Sequence, residues 1–265
     1  MNNRTRSLAI LNYQEYDRLP IVHFGYWNEL LEKWAQEGHI SMELAKSWGD
    51  GNDADKELDK IIGFDFNWYS VHGGTANLKP HFERKVIQVN PDGSRHVQDH
   101  NGATVLEKDE AGSIPAEIAH LLKDRASWEE LYLPKLQWAP DRIPSTALHP
   151  TEAMRNRQTP LGLWCGSLLG EIRNWLGVVG LSYMMADDPD LLEEIIQTVA
   201  DISYKNVETI LAHNTDWDFA HFWEDISFKN GPLVSPRFFR RVVGPHYKRI
   251  TELVNAAGIN IISLD

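Results

Sequence analysis

Two adjacent carboxylates, Glu224 and Asp225, close an apolar stretch that runs Asp218-Phe219-Ala220-His221-Phe222-Trp223. A carboxylate where a strand gives way to a loop and then a helix can act as a general base or clamp a polar ligand. Neighbours on a strand point to opposite faces. If Asp225 faces inward, His221 and Trp223 share its side as ligand-binding residues, and Glu224 turns toward the helices. The plainer alternative is that one carboxylate pairs with a cation such as Lys229 and fixes the loop. His72, ahead of Gly73-Gly74, is the second candidate catalytic group, because an imidazole moves protons near neutral pH. Its plainer alternative is a histidine on the rim. His23 and Trp27 close the first strand, with Trp27 as a stacking wall and His23 either in the pocket or bonded to backbone in the core. Asp265 ends the last strand in the same way. The spacing His221-x-x-Glu224 does not suit a metal, since on a strand the two side chains diverge.

These groups need a scaffold that brings strand ends together. Strand-like and helix-like segments alternate, the pattern of an α/β fold with parallel strands. Strands are read at 18–24, 63–71, 160–165, 218–223 and 260–265. Helices are read at 4–12 and 29–37, as two long helices after the third strand, and from Ser235-Pro236 to Gly258 with a kink at Pro245. Asp188-Pro189 supplies an N-cap followed by proline at the first helical position. Residues 80–110 read as a small antiparallel β-meander insertion, with turns at Asn90-Pro91-Asp92-Gly93 and His100-Asn101-Gly102. Residues 113–158 read as proline-punctuated helices and loops. A central-type parallel strand is covered on both faces, and an eight-stranded barrel typically takes about 250 residues without a large insertion. The expected architecture is therefore a single (β/α)8 TIM-barrel-type domain over 1–265. It is incomplete, with about five of eight β/α units and the C-terminal units missing.

Bulk chemistry narrows the function. The 265 residues carry a net charge of −12, which argues against nucleic acid or an anionic membrane as partner. The start has no apolar leader and no run approaches 18 apolar residues, so a soluble cytoplasmic protein is expected. The single cysteine, Cys165, rules out an internal disulfide and a thiolate-rich zinc site, and reads as a packed small residue. Arg237, Arg240, Arg241, Lys248 and Arg249 read as a solvated helix face.

Several segments together resemble the uroporphyrinogen decarboxylase superfamily, which also contains corrinoid-linked methyltransferases. They are Asn3-Arg4-Thr5-Arg6 through Asp17-Arg18-Leu19-Pro20-Ile21, Leu161-Gly162-Leu163-Trp164-Cys165-Gly166-Ser167 with Leu176-Gly177, and Asp187-Asp188-Pro189-Asp190-Leu191-Leu192. The most specific is Phe222-Trp223-Glu224-Asp225 followed by Lys229-Asn230-Gly231-Pro232-Leu233 and Ser235-Pro236-Arg237-Phe238-Phe239. The resemblance implies a (β/α)8 barrel with its site at the mouth. It also exposes departures. The decarboxylases follow strand one with two arginines that hold substrate carboxylates, and His23-Phe24-Gly25-Tyr26-Trp27-Asn28-Glu29 has none. The aspartate ending their second strand falls at His72, a tyrosine after strand three near Asn174, and a serine after strand four at Asp225. The His-x-Cys zinc motif of the methyltransferases corresponds here to Ser263-Leu264-Asp265.

The resemblance therefore favours a small-molecule enzyme of methyl transfer, with a corrinoid protein or other one-carbon carrier as partner. Decarboxylation of a tetrapyrrole is the alternative, though a multiply anionic substrate calls for cationic clamps. A third reading is a truncated, non-catalytic chain that associates through unpaired strand edges.

Overall fold

The computed structural model describes residues 1–68, 71–108 and 115–265. In chain order its strands are β1 (Val22–His23), β2 (Phe66–Asn67), β3 (Val71–Gly73), β4 (Lys85–Val89), β5 (Arg95–Gln98), β6 (Ala103–Glu107) and β7 (Ala116–His120). They continue with β8 (Gly162–Trp164), β9 (Phe219–Phe222), β10 (Ser227–Phe228), β11 (Gly231–Pro232) and β12 (Ile262–Leu264). β1 pairs with β2, and β3, β8, β9 and β12 form a second sheet in that order, every pair parallel. The expected second strand covers both β2 and β3, and its Tyr69 and Ser70 lie outside the described residues. Parallel strands paired in chain order with helices between them make an α/β fold compatible with part of a TIM-type barrel. Among the described residues β1 and β12 do not pair with each other, so barrel closure is not observed.

Local chemistry sets the helices. Asn2, Ser41, Asn52, Asp188 and Ser235 each cap a helix start through the side-chain oxygen. Helices Met42–Ser47 and Asp53–Ile62 lie in a stretch the sequence reading left unassigned, and Gly63 stops the second at φ +93°. Helix Gly170–Asp187 breaks at Gly177, whose φ of +66° no helix interior adopts. Helix Pro189–Leu211 runs unbroken from its expected cap. The last helical region is short at Pro236–Phe238, widens into a π-turn at Phe239–Val243, and resumes at Gly244–Ala256. The expected kink at Pro245 is thus absorbed one residue earlier. Proline has no N–H to complete an α-turn, and the π-turn does not ask for one.

The helices cover one face of the four-stranded sheet. Leu163, Cys165, Ala220 and Phe222 pack there against Val207, Ile210, Ile250 and Val254. A second core joins both long helices to Trp128, Tyr132 and Trp175. The meander has the four strands β4 to β7 instead of three, so the insertion reaches His120. β7 reads Ala-Glu-Ile-Ala-His, too poor in β-branched and aromatic residues to signal a strand. No helix among the described residues is long and apolar enough to cross a membrane.

On the sheet's other face, here called the inner face, Trp68 stacks on Phe219 with ring centroids 4.5 Å apart. Gly162 makes room for that stack, since a Cβ there would sit 2.5 Å from the Phe219 ring. Gly162→Ala is expected to destabilise the fold by about 1–3 kcal/mol through overpacking. Urea unfolding would measure it, and an unchanged midpoint would contradict this packing.

Candidate functional site

Register in a parallel sheet decides which side chains meet. Gly73, Trp164, His221 and Ser263 lie opposite one another on neighbouring strands and share the inner face. The His221 ring is fully buried, 5.8 Å from the Trp164 ring, with Nδ1 3.1 Å from Ser263 Oγ. Trp68 Nε1 donates to the same Ser263 oxygen at 3.1 Å. An indole N–H only donates, so the Ser263 hydroxyl proton is free to go to His221 Nδ1, which leaves the ring proton on Nε2. Burial pulls the His221 pKa down to about 4, so the imidazole is neutral at physiological pH. The cluster joins a neutral imidazole, a hydroxyl and two indole faces, drawn from the second strand, β8, β9 and β12. The imidazole is closed off from solvent and one Trp68 face is taken by Phe219, while Trp164 and Ser263 are only partly buried and border the inner face.

Glu224 does something else. Its Oε1 accepts from Leu168 N–H at 2.6 Å, and its Oε2 from Leu169 and Gly170 N–H at 2.7 and 2.8 Å. The Tyr247 hydroxyl also donates to it. A carboxylate there satisfies the orphan amides of the helix start and complements the positive end of the helix dipole. Burial raises the Glu224 carboxyl above its ordinary value, and the four donors oppose that rise. Strand alternation did turn Glu224 toward the helices, as the sequence implied, but it lies completely buried and holds a helix, with no face open for substrate.

The other sequence candidates divide. Trp223, one residue past β9, lies half-buried beside Gly170 at the helix start and beneath the Arg173 guanidinium, 5.5 Å from its ring. Asp225 is exposed on the rim at φ +47° and pairs with Arg173 at 3.1 Å, so the cation that fixes it is not Lys229. Its backbone N–H and that of Glu224 donate to the Asp265 carbonyl, which ties the β9 and β12 ends together. Asp265 is exposed at that seam, and burial of its carboxyl nonetheless raises its pKa. His72 faces away from the cluster. It shares register with Leu163 on the helix-covered face, and its Nε2 lies 2.6 Å from Thr146 Oγ1. Burial lowers its pKa. His23 is buried under Tyr26 and Phe64. Its Nδ1 accepts from Gly25 N–H at 3.0 Å, so Nε2 carries the proton to Asp59 at 2.8 Å. That is the core-histidine alternative, secured by helix Asp53–Ile62. Trp27 is exposed and starts helix Asn28–Gln36. Cys165 is buried, and burial pushes its thiol up.

Sequence reasoning missed Ser263, Trp68, Trp164, Arg173 and Tyr247. Register supplies Ser263 and Trp164, because His221 fixes the inner-face phase of β9 and the parallel neighbours follow it, whereas Trp68 lies between β2 and β3 and joins through its indole N–H to Ser263. Charge is segregated along the strands. Near the amino ends, Arg4 and Arg157 hold buried Asp218 at 2.9 and 2.8 Å, and Arg18 grips Asp65 at 2.5 Å. At the carboxyl ends, acids prevail. Asn67 donates to both Asp50 and Asp55, and burial raises the Asp50 carboxyl. Among the described residues, no group of three or more His, Cys, Asp or Glu side chains could hold a metal ion.

Glu224→Ala is expected to cost roughly 2–4 kcal/mol, since it strands buried amides, and Tyr247→Phe distinctly less. Thermal melts followed by circular dichroism would rank them, and equal losses would contradict this account of the cap. Two buried groups tilt stability with pH in opposite senses. His221 is depressed, so stability falls as pH drops from about 6.5 toward 4, by at most ~1.4 kcal/mol per unit. Glu171 is raised to about 7 by burial, which Trp175 opposes. Its stabilisation is complete at low pH and lost as pH rises from about 4.5 to 7. Urea midpoints between pH 4 and 8 should show His221→Gln flattening the acid limb and Glu171→Gln the limb toward neutrality.

A methyltransferase from Methanosarcina mazei matches this structure with a TM-score of 0.50 and 14% identity, over 100% of this chain and 69% of its own. At that identity the likeness is one of fold. No protein-family model matches the sequence, and no curated protein matches it.

Proposed function

We propose that this chain forms the substrate-bearing part of a small-molecule enzyme of TIM-barrel type. Its chemistry is methyl transfer to or from a one-carbon carrier, with a corrinoid held by a partner protein as the favoured carrier. The observation that carries the reading is the His221–Ser263–Trp68–Trp164 cluster on the inner face. Ligand sites of α/β folds lie at the carboxyl ends of parallel strands, and flat aromatic surfaces with few polar groups suit a large conjugated ring. The fold likeness to a methyltransferase supports the same reading. In it, His221 and Ser263 position the reacting group and hold a proton near it, while Trp164, Trp68 and Trp223 wall the ligand.

Tetrapyrrole decarboxylation is the weaker alternative. A substrate with many carboxylates needs free cations, whereas Arg173 at the rim is engaged by Asp225 and Trp223, and other arginines are tied to aspartates at the opposite strand ends. One observation favours a non-catalytic chain completed through its edges. Ile21 beside β1 and Ile262 and Leu264 on β12 are exposed apolar residues at strands that have one edge without a strand partner among the described residues.

Thermal shift and tryptophan quenching with methylcobalamin and with uroporphyrin separate these readings. Methylcobalamin is expected to stabilise the chain and quench its fluorescence, with both effects reduced at least fivefold by Trp164→Ala. A porphyrin-selective shift would overturn the preference for methyl transfer. No shift with either ligand, together with concentration-dependent association in sedimentation, would favour the edge-completed chain.

A further inference from the structure

We propose that the groove between β7 and the second half of helix Gly170–Asp187 docks an extended basic segment of a partner protein, which adds as a strand to β7. The groove has a volume of about 740 Å³ and lies along the stretch from Leu176 to Leu191, away from the His221 cluster. Its location follows from the break at Gly177. A Cβ at that position would meet His120 Nε2 at 2.5 Å, so the missing side chain lets the end of β7 press on the helix at the bend. Beyond the bend, Val179 and Tyr183 are 69% and 66% exposed, and Ile118, the extra residue at the β7 bulge, is 47% exposed. Clustered apolar side chains this open mark a contact surface.

Two observations select the occupant. β7 is the last strand of its sheet, so one edge has no strand partner among the described residues, and such an edge accepts an added strand through backbone hydrogen bonds. The rim is acidic as well, with Glu117, Asp124, Asp187 and Asp188 against a single lysine, Lys123. An added strand running along the helix stripe Val179, Tyr183 and Asp187 sets apolar groups against the first two and Ile118, and basic groups at the Asp187 end and beside Glu117.

The test uses the full chain and two labelled hexapeptides, one alternating lysine with valine and the other glutamate with valine. Fluorescence anisotropy reads binding, and amide hydrogen exchange reads β7. The lysine peptide is expected to bind at least fivefold tighter than the glutamate peptide, to weaken with added salt, and to slow exchange at 116–120. The double variant Glu117→Lys/Asp187→Lys, at two surface positions, should reverse the preference, with circular dichroism checking that it folds. Equal binding of the two peptides, no binding, or no slowing in β7 would overturn the proposal. Slowing at 116–120 that grows with protein concentration alone would overturn it in favour of a second copy paired edge to edge.

Discussion

The carboxylate of Glu224 binds three pieces of chain that are far apart in sequence. Its backbone leaves the end of β9, its oxygens hold the start of helix Gly170–Asp187, and the Tyr247 hydroxyl reaches it from helix Gly244–Ala256. Each helix start leaves amides unsatisfied, and water cannot serve them in a dry core. One buried anion resolves that problem and fixes how the helix following β8 leans on the end of β9. His221 lies three residues earlier, on β9, and its inner-face direction follows from the pairing of that strand with β8 and β12. The cluster around it, with Ser263 and the two tryptophans, depends on β9 being held in that register.

Charge then divides the molecule along its strands. The arginine pairs sit where the strands begin and knit the first helix, the loop before β8 and the start of β9 into one frame. The strand ends carry acids and aromatic rings. A site built this way recognises a ligand by shape, stacking and a few hydrogen bonds, with little contribution from net attraction to an anion. Arg173 is the exception, and it lies between Asp225 and the Trp223 ring.

Much of the fold could be read from the sequence where periodicity and capping agreed. Asp188-Pro189 opened the long helix as expected, and the alternation from His221 to Asp225 sent Glu224 to the helix side. The second strand was found but not its division into β2 and β3, and β7 was hidden by a sequence of weak strand propensity. The site was less legible for a physical reason. His72 ends a strand in the right place, but one residue of phase decides which face it takes, and the pairing with Leu163 turned it to Thr146. His23 is a histidine at a strand end whose chemistry is spent on Asp59. Ser263 could be recognised only once register had placed it opposite His221.

The π-turn at Phe239–Val243 has a consequence for how the following helix is aimed. An α-helix advances about 100° per residue, so a turn holding one residue more than usual swings everything after it by that angle. Phe238 ahead of the turn and Val242 within it face the core, and after it Ile250 and Val254 do, with Tyr247 between them. The turn therefore works as a phase shifter, and Tyr247 reaches Glu224 because the count is one residue long. Closing the turn to regular α-geometry with the sequence unchanged would rotate the phenol off its acid and present a different stripe of the helix to the sheet. Deleting one residue between Phe239 and Val243 together with the bulge would instead set Phe238, Tyr247, Ile250 and Val254 on one regular α-helical seam.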